Sequence, residues 1–555
     1  MTGPARGTVL YRAARIHTQA GPPAQCMAVA GGRVAAAGPL RDLRERYPAA
    51  EVADLGGAVV VPGFNDAHQH LTQMAGDLLG VDLSPGAVSG RGQITAALRR
   101  GVAAAADGGW VRATRYDPEK SDGGRTLTRH DLDEVSGSQP IVVCHVAGHW
   151  GIVNSAALRL AGLSGASRDP EGGKLGRDGS GQLNGVVVER AFFGFAYPSL
   201  AEGGRALMPA LSVEDRLRGL EAAQSMLLAA GLTSVTDALV GPEDLALLAE
   251  ARRRGALALR VAALLSYRHM DKLAALGAGT GFGDEWLRIA GIKAFVDGAC
   301  GGRTCLVSEP FAGSDNHGIQ TTSTEELGRI VDEVHRRGWR VCVHANGDRA
   351  ISLLLDCLEA ADARWPEGGP SRAGGAGVGH RIEHCTIVTP AILARMKALG
   401  AASVPFSGYV RFHGAKLRDW YGEERLERMF AHRSFLDAGV AVAGSSDYPC
   451  GPFEPLYGIE SCVSRRGADG VLLGPSQRVT PAEALRLYTA GSARASGEAG
   501  LKGCLARGQL ADFTVLGADP LEGGDIAAIP VLATYVGGRR AWTAAGETPA
   551  SRETP

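Results

Sequence analysis

Eight short runs of β-branched and apolar residues, each with room for a helix before the next, constrain this 555-residue chain more than any other feature. They are AVVVPGF, LTSVTDA, LRVAALLSY, LRIAGIKAFVD, WRVCVHA, HRIEHC, AASVPF and VAVAGSSD. The gaps carry helical periodicity, as in VEDRLRGLEAAQSMLLAAG and TEELGRIVDEVHRRG, the latter ending at a glycine stop. Strand–helix–strand units return the chain parallel to itself, and eight of them close a (β/α)8 barrel of the TIM type. The spacing is uneven, because the first run ends near Asn65 and the second begins near Leu232. Residues from about 75 to 210 hold their own strand-like runs, WVRATRY and PIVVCHV, and are expected to form an insertion over the barrel mouth. The irregular stretch 363–379 reads as a surface loop.

Both chain ends have a different character. Residues 1–60 alternate apolar runs with Gly turns, and LADFTVLGADP with VLATYVGGRRAWT repeats the pattern within 496–545. The two ends are expected to pair into one small β domain flanking a barrel over 61–495, with 546–555 as a polar tail. A net charge of −1 gives no long-range field toward nucleic acid or an anionic membrane, and points to a small-molecule substrate instead. No apolar stretch reaches the length of a membrane span, and the N-terminus lacks the apolar region of a secretory signal. Ten cysteines without a CxxC pair read as reduced thiols in a cytoplasmic protein. A homodimer is the default expectation for a soluble enzyme.

The candidate chemistry sits where the strands end. His68 and His70 in GFNDAHQH have the i, i+2 spacing that points two imidazoles the same way in extended backbone. Alone, the pair reads equally well as two polar loop residues. Lys293 in GIKAFVDG is either a lysine whose head reaches solvent or a buried amine with a lowered pKa, able to form a carbamate with carbon dioxide. His344 closes VCVHA, His384 closes RIEHC and Asp447 closes AVAGSSD, whereas His380 stands at the start of its strand. A carboxylate after an apolar run is costly to bury unless it is paired, hydrogen-bonded or metal-bound. Taken together, the strand ends offer HxH, Lys, His, His and Asp in chain order. Nitrogen and oxygen donors without a thiolate suit Zn²⁺, with Mn²⁺, Co²⁺ or Fe²⁺ as alternatives. Glu383 is expected on the opposite face of its strand from His384.

The segments PGFNDAHQHL, GHWGIVNSAALRLAG, GLTSVTDA, IKAFVDGACGGRT, HANGDRAI, RIEHC and TPAEALRLYTAGSARASG carry a resemblance along nearly the whole chain. In them the chain resembles the amidohydrolase superfamily, and within it the amidohydrolase-3 (YtcJ-like) branch that includes N-substituted formamide deformylases. The resemblance implies a barrel with a small β-sandwich built from both chain ends. It implies one or two divalent ions, held by His68, His70, His344 and His384, with Lys293 carboxylated and bridging. Asp447 would orient the attacking water and move its proton; His149 of the inserted segment is a candidate helper at the oxyanion, with a plain loop residue as the alternative. Arg303, Asn154 and Trp150 are candidate substrate contacts, each with a plain alternative as a loop or packing residue. Cys300, Cys305 and Asn346 depart from the residues usual at their positions. The implied reaction is hydrolysis of a non-peptide C–N amide bond; other cyclic amide, carbamate or ester hydrolysis, deamination, and a non-catalytic metal-binding barrel are the rivals.

Overall fold

A computed structural model describes residues 7–106, 108–197, 207–209, 211–370, 379–545 and 552–553. Parts of the inserted segment, of the 363–379 loop and of the tail beyond 546 lie outside them.

Eight strands form one parallel sheet in sequential order: β1 (Phe64–Gln69), β2 (Leu232–Val240), β3 (Arg260–Ser266), β4 (Leu287–Phe295), β5 (Val341–Ala345), β6 (Arg381–His384), β7 (Ala402–Val404) and β8 (Ala441–Val442). Every residue of β2 and β3 is buried, as expected of parallel strands covered on both faces. The first and last strands also meet. Ala67 N–H donates to the Gly444 carbonyl at 3.1 Å, and Asp447 N–H donates to the His68 carbonyl at 2.8 Å. The helices between strands start at capping side chains: Ser212, Ser323 and Thr389 accept from Asp215, Glu326 and Ile392 N–H. Helix Thr324–Arg336 then buries Leu327, Ile330, Val331 and Val334, the i, i+3, i+4, i+7 stripe read in its sequence.

The first strand differs from the expectation. AVVVPGF divides between two sheets, because Val59–Pro62 pairs antiparallel with Phe513–Leu516 and parallel with Arg15 and Ile16. The chain crosses into the parallel sheet at Gly63, where a Cβ would stand 2.3 Å from Thr233 Oγ1 on β2. Only a residue without a side chain lets the strands approach there. Gly63→Ala is therefore expected to cost about 1–3 kcal/mol through overpacking, read as a lower urea midpoint with an unchanged slope.

Both chain ends build a nine-stranded sheet. Its N-terminal strands run from Val9–Ile16 to Val59–Pro62, and its C-terminal ones include Phe513–Leu516, Val531–Val536 and Arg539–Thr543. Of the expected tail, Arg552 and Glu553 pair with Ala53 and Val52. Tyr11, Phe513 and Tyr535 pack ring against ring at its centre, with centroids 4.4–5.4 Å apart. Arg260 of β3 reaches down to Asp512 with Nε–Oδ2 at 2.6 Å and Nη2–Oδ1 at 3.0 Å, a buried fork that fixes this sheet to the parallel one.

Between β1 and β2 the chain makes a third, six-stranded sheet from Val81 to Glu189. Its strand Leu183–Glu189 and the turn before Trp150–Val153 lead toward the C-terminal ends of the parallel strands. The ten cysteines are free thiols. Among the described residues no helix is long and apolar enough to cross a membrane.

Candidate metal centre

Three buried side chains converge at the C-terminal ends of the parallel strands. His68, His384 and Asp447 each offer a ligand atom, and these atoms lie within 4.8 Å of one another. His70 Nε2 reaches Asp447 Oδ1 at 3.1 Å, and His68 Nε2 stands 3.3 Å from the same oxygen. The His384 ring lies 4.6 Å from both the His68 and His344 rings, and stacks on Phe406 at 4.3 Å. Lys293 on β4 is buried beside them, its Nζ 4.8 Å above the Phe295 ring. The sequence candidates are thus gathered in one place, but not all equally. His68, His384 and Asp447 form the tight trio, whereas His344 Nε2 is engaged by the Gly298 carbonyl at 3.1 Å and Asn346 Nδ2 at 2.9 Å.

The electrostatics suit cation binding. Burial lowers the pKa of His68 to about 4, helped by the charge on Lys293. Burial and the neighbouring histidines push His344 and His384 well below the usual range. These rings are neutral at pH 7, the form that ligates a metal. Burial likewise lowers Lys293 to about 8, which leaves a usable fraction of neutral amine. Burial alone would raise Asp447; the His70 hydrogen bond and the charges of His68 and Lys293 outweigh it and hold the carboxyl below its ordinary value.

Several groups that shape the site escaped the sequence reading. Glu383 was expected to point away, yet its Oε2 accepts from His68 Nδ1 while Arg381 grips it with Nε–Oε1 and Nη2–Oε2, both 2.8 Å. Alternation fails because His384 and Cys385 have φ of 69° and 43°, turning the strand so that neighbours share a side. Asp66 accepts from His68 N–H and Ser446 N–H at 3.1 Å, and from the Ser446 hydroxyl at 2.5 Å. It fastens the HxH segment to the loop that carries Asp447. Asp297 accepts from Leu306, Asn346 and Gly347 N–H at 2.8–3.0 Å and so sets the turn after His344. A carboxylate two residues before an HxH, and another in VDG after a strand, were the available signals. Asp447 and Glu189 also have positive φ, 51° each, so backbone strain clusters at this mouth.

The inserted sheet delivers His149. Its Nδ1 bonds Glu189 Oε2 at 2.7 Å, and its ring lies 4.8 Å from that of His344. Burial lowers its pKa, but the Glu189 carboxylate overrides this and raises it. Gly298 makes room for Glu189, since a Cβ there would meet Glu189 Oε1 at 2.3 Å.

Of the three expected substrate contacts, Asn154 is committed to the inserted sheet, while Trp150 and Arg303 each pack on an aromatic neighbour. Asn154 caps helix Ser155–Leu160; its Oδ1 accepts from Ile141 and Ala157 N–H, and its Nδ2 donates to the Ser136 and Gln139 carbonyls. With all four capacities filled, it holds the inserted sheet together and has none left for a ligand. Trp150 lies flat on His145 at 4.1 Å, against the core of that sheet. Arg303 is exposed, in left-handed backbone, with its guanidinium 5.0 Å over Trp420. His380 bonds His335 at 2.9 Å, beneath the strands and away from the mouth. Cys300 and Cys305 are buried in an aromatic cluster with Tyr409 and Tyr421, while Asn346 braces His344 and accepts from Thr386 Oγ1 at 2.6 Å.

A parallel eight-stranded sheet with buried histidines and an aspartate at its C-terminal end is the setting of a metal-dependent hydrolase. Residues 51–541 match the amidohydrolase family, and residues 26–50 match the imidazolonepropionase-like composite domain of bacteria. The chain belongs to the amidohydrolase family and is a hydrolase acting on carbon–nitrogen bonds. It is 31% identical to an N-substituted formamide deformylase from Arthrobacter pascens, over 93% of this chain and 94% of that protein. It is 29% identical to YtcJ of Bacillus subtilis (strain 168), over 89% and 90% of the two chains. Its structure resembles an uncharacterized metal-dependent hydrolase from Pyrococcus horikoshii OT3, with TM-score 0.74, 27% identity and coverage of 94% and 99%.

Proposed function

We propose that this chain hydrolyses a non-peptide amide, an N-substituted formamide or another N-acyl amine, with a divalent metal held inside a (β/α)8 barrel. The observation that carries the proposal is the buried trio of His68, His384 and Asp447, in which His68 Nε2 and His384 Nδ1 have no hydrogen-bond partner among the described residues. Buried polar atoms without partners are costly, and two neutral imidazoles beside an ionised carboxylate suit a cation. His70, Lys293 and His344 would complete the set, with Zn²⁺ as the ion favoured by nitrogen and oxygen donors. Carboxylation of Lys293 would supply the oxygens to bridge a second ion.

A bound divalent ion supplies Lewis acidity, polarising a carbonyl and acidifying water. The chain's own groups do the rest. Asp447, ionised at neutral pH, takes the proton of the attacking water on a carboxylate oxygen and returns it to the leaving nitrogen. His149, kept more protonated than an ordinary histidine by Glu189, donates toward the carbonyl oxygen as charge develops there. Glu383 fixes the His68 ring so that Nδ1 donates and Nε2 faces the centre. The inserted sheet covers this end of the strands and restricts water.

The test is reconstitution of chelator-treated protein with Zn²⁺, followed by amine release from formamides, N-acyl amines, carbamates and lactones. Activity with the first two groups, one or two ions per chain and loss on chelation are expected. Absence of divalent-metal binding would overturn the proposal, and ammonia release from a ring amine would replace it with deamination.

A further inference from the structure

A cavity of about 320 Å³ lies beside the histidine cluster and shares a wall with it. Phe193 and Phe295 line it, and behind it they pack on the rings of His149 and His344, with centroids 5.9 and 5.3 Å apart. Phe195 and Tyr267 extend this aromatic surface. Among the described residues, the lining holds three arginines, Arg168, Arg190 and Arg268, and no carboxylate. Glu326, which reaches two of the lining side chains, is already bonded to Arg190 Nη2 at 2.8 Å and Tyr267 Oη at 3.0 Å. Arg268 lies partly buried, with a buried Nε that has no hydrogen-bond partner among the described residues. The two Phe walls are buried while Arg168 is exposed, so the cavity runs from an apolar inner end beside the histidines to a cationic outer end.

We infer that this cavity binds a small carboxylate ligand with an apolar or aromatic body, beside the histidine cluster and separated from it by the Phe193 and Phe295 rings. Each end of the cavity selects one part of that ligand. Aromatic walls bury a ring or alkyl chain without supplying polar partners. An arginine with an unfilled donor, held in a partly desolvated rim, binds a carboxylate through charge-assisted hydrogen bonds and discriminates against a neutral isostere. Excess positive charge at the rim also raises the encounter rate of anions.

The test uses the full chain and two probes, 4-ethylbenzoate and neutral 4-ethylbenzamide, followed by calorimetry. The benzoate is expected to bind at least about tenfold more tightly, in line with one charge-assisted pair. Arg268→Gln is expected to collapse that ratio toward one, whereas Arg268→Lys retains part of it; thermal melts report whether each variant is folded. Equal affinities of the wild-type chain for the two probes would overturn the inference.

Discussion

Asp447→Asn is expected to lower kcat by about 10²–10⁴-fold under saturating metal, with the chain still folded. Asparagine is the replacement that isolates the proton-transfer role. Asp447 has φ of 51°, a left-handed conformation that Asn tolerates and most other residues do not. Its N–H also bonds the His68 carbonyl, and its carbonyl accepts from Cys450 N–H, so a residue that moved the backbone would disturb the first strand as well. The amide keeps an oxygen that can face the ion and His70, but it cannot take up a proton at neutral pH. The loss should therefore fall on kcat more than on KM. Metal analysis on the same sample separates a missing proton acceptor from a missing ion. A variant that holds its metal and turns over at the wild-type rate would remove Asp447 from the mechanism.

The parts of this protein legible in its sequence are those governed by local periodicity. Seven of the eight strand runs became strands of the parallel sheet, because β-branched runs between helical segments have few other ways to bury both faces. The first run misled, since AVVVPGF contains the crossing point between two sheets and nothing local marks which side of Gly63 belongs to which. Strand-end histidines were legible for the same reason that the strands were. Their supports were not. Glu383 lies beside His384 in sequence, and period-two alternation assigns them opposite faces; only the left-handed turn at His384 brings both inward. Glu189 and His149 meet across 40 residues through sheet pairing, and the arginines of the cavity come from three separate segments. Asn154 shows the converse: a polar residue in a promising motif can be fully engaged by a helix cap.

Glu383 carries the second large effect. Its carboxylate and the Arg381 guanidinium are both fully buried, and the pair joins three parts of the site. Glu383 accepts from His68 on β1 and from Arg381 on β6, and Arg381 Nη2 donates to the Ala67 carbonyl at 2.7 Å. Burial by itself would raise the Glu383 pKa; Arg381 and His68 outweigh burial and hold the carboxyl far below its ordinary range, so the charge is present at every working pH. Glu383→Ala removes it and leaves a buried guanidinium without a counter-charge, which is expected to cost about 3–5 kcal/mol of stability. Glu383→Gln keeps the volume and one acceptor for His68 Nδ1, but weakens the polarisation of that ring. It is expected to lower metal affinity by about 10–100-fold, measured by chelator competition. Pairing Glu383→Leu with Arg381→Met tests the cause, because exchanging both charges for apolar groups should recover much of the stability lost in the alanine variant while leaving metal affinity low. If the double variant is no more stable than Glu383→Ala, the loss comes from packing rather than from the stranded charge. An unchanged metal affinity in Glu383→Gln would show that His68 does not depend on this carboxylate for its orientation.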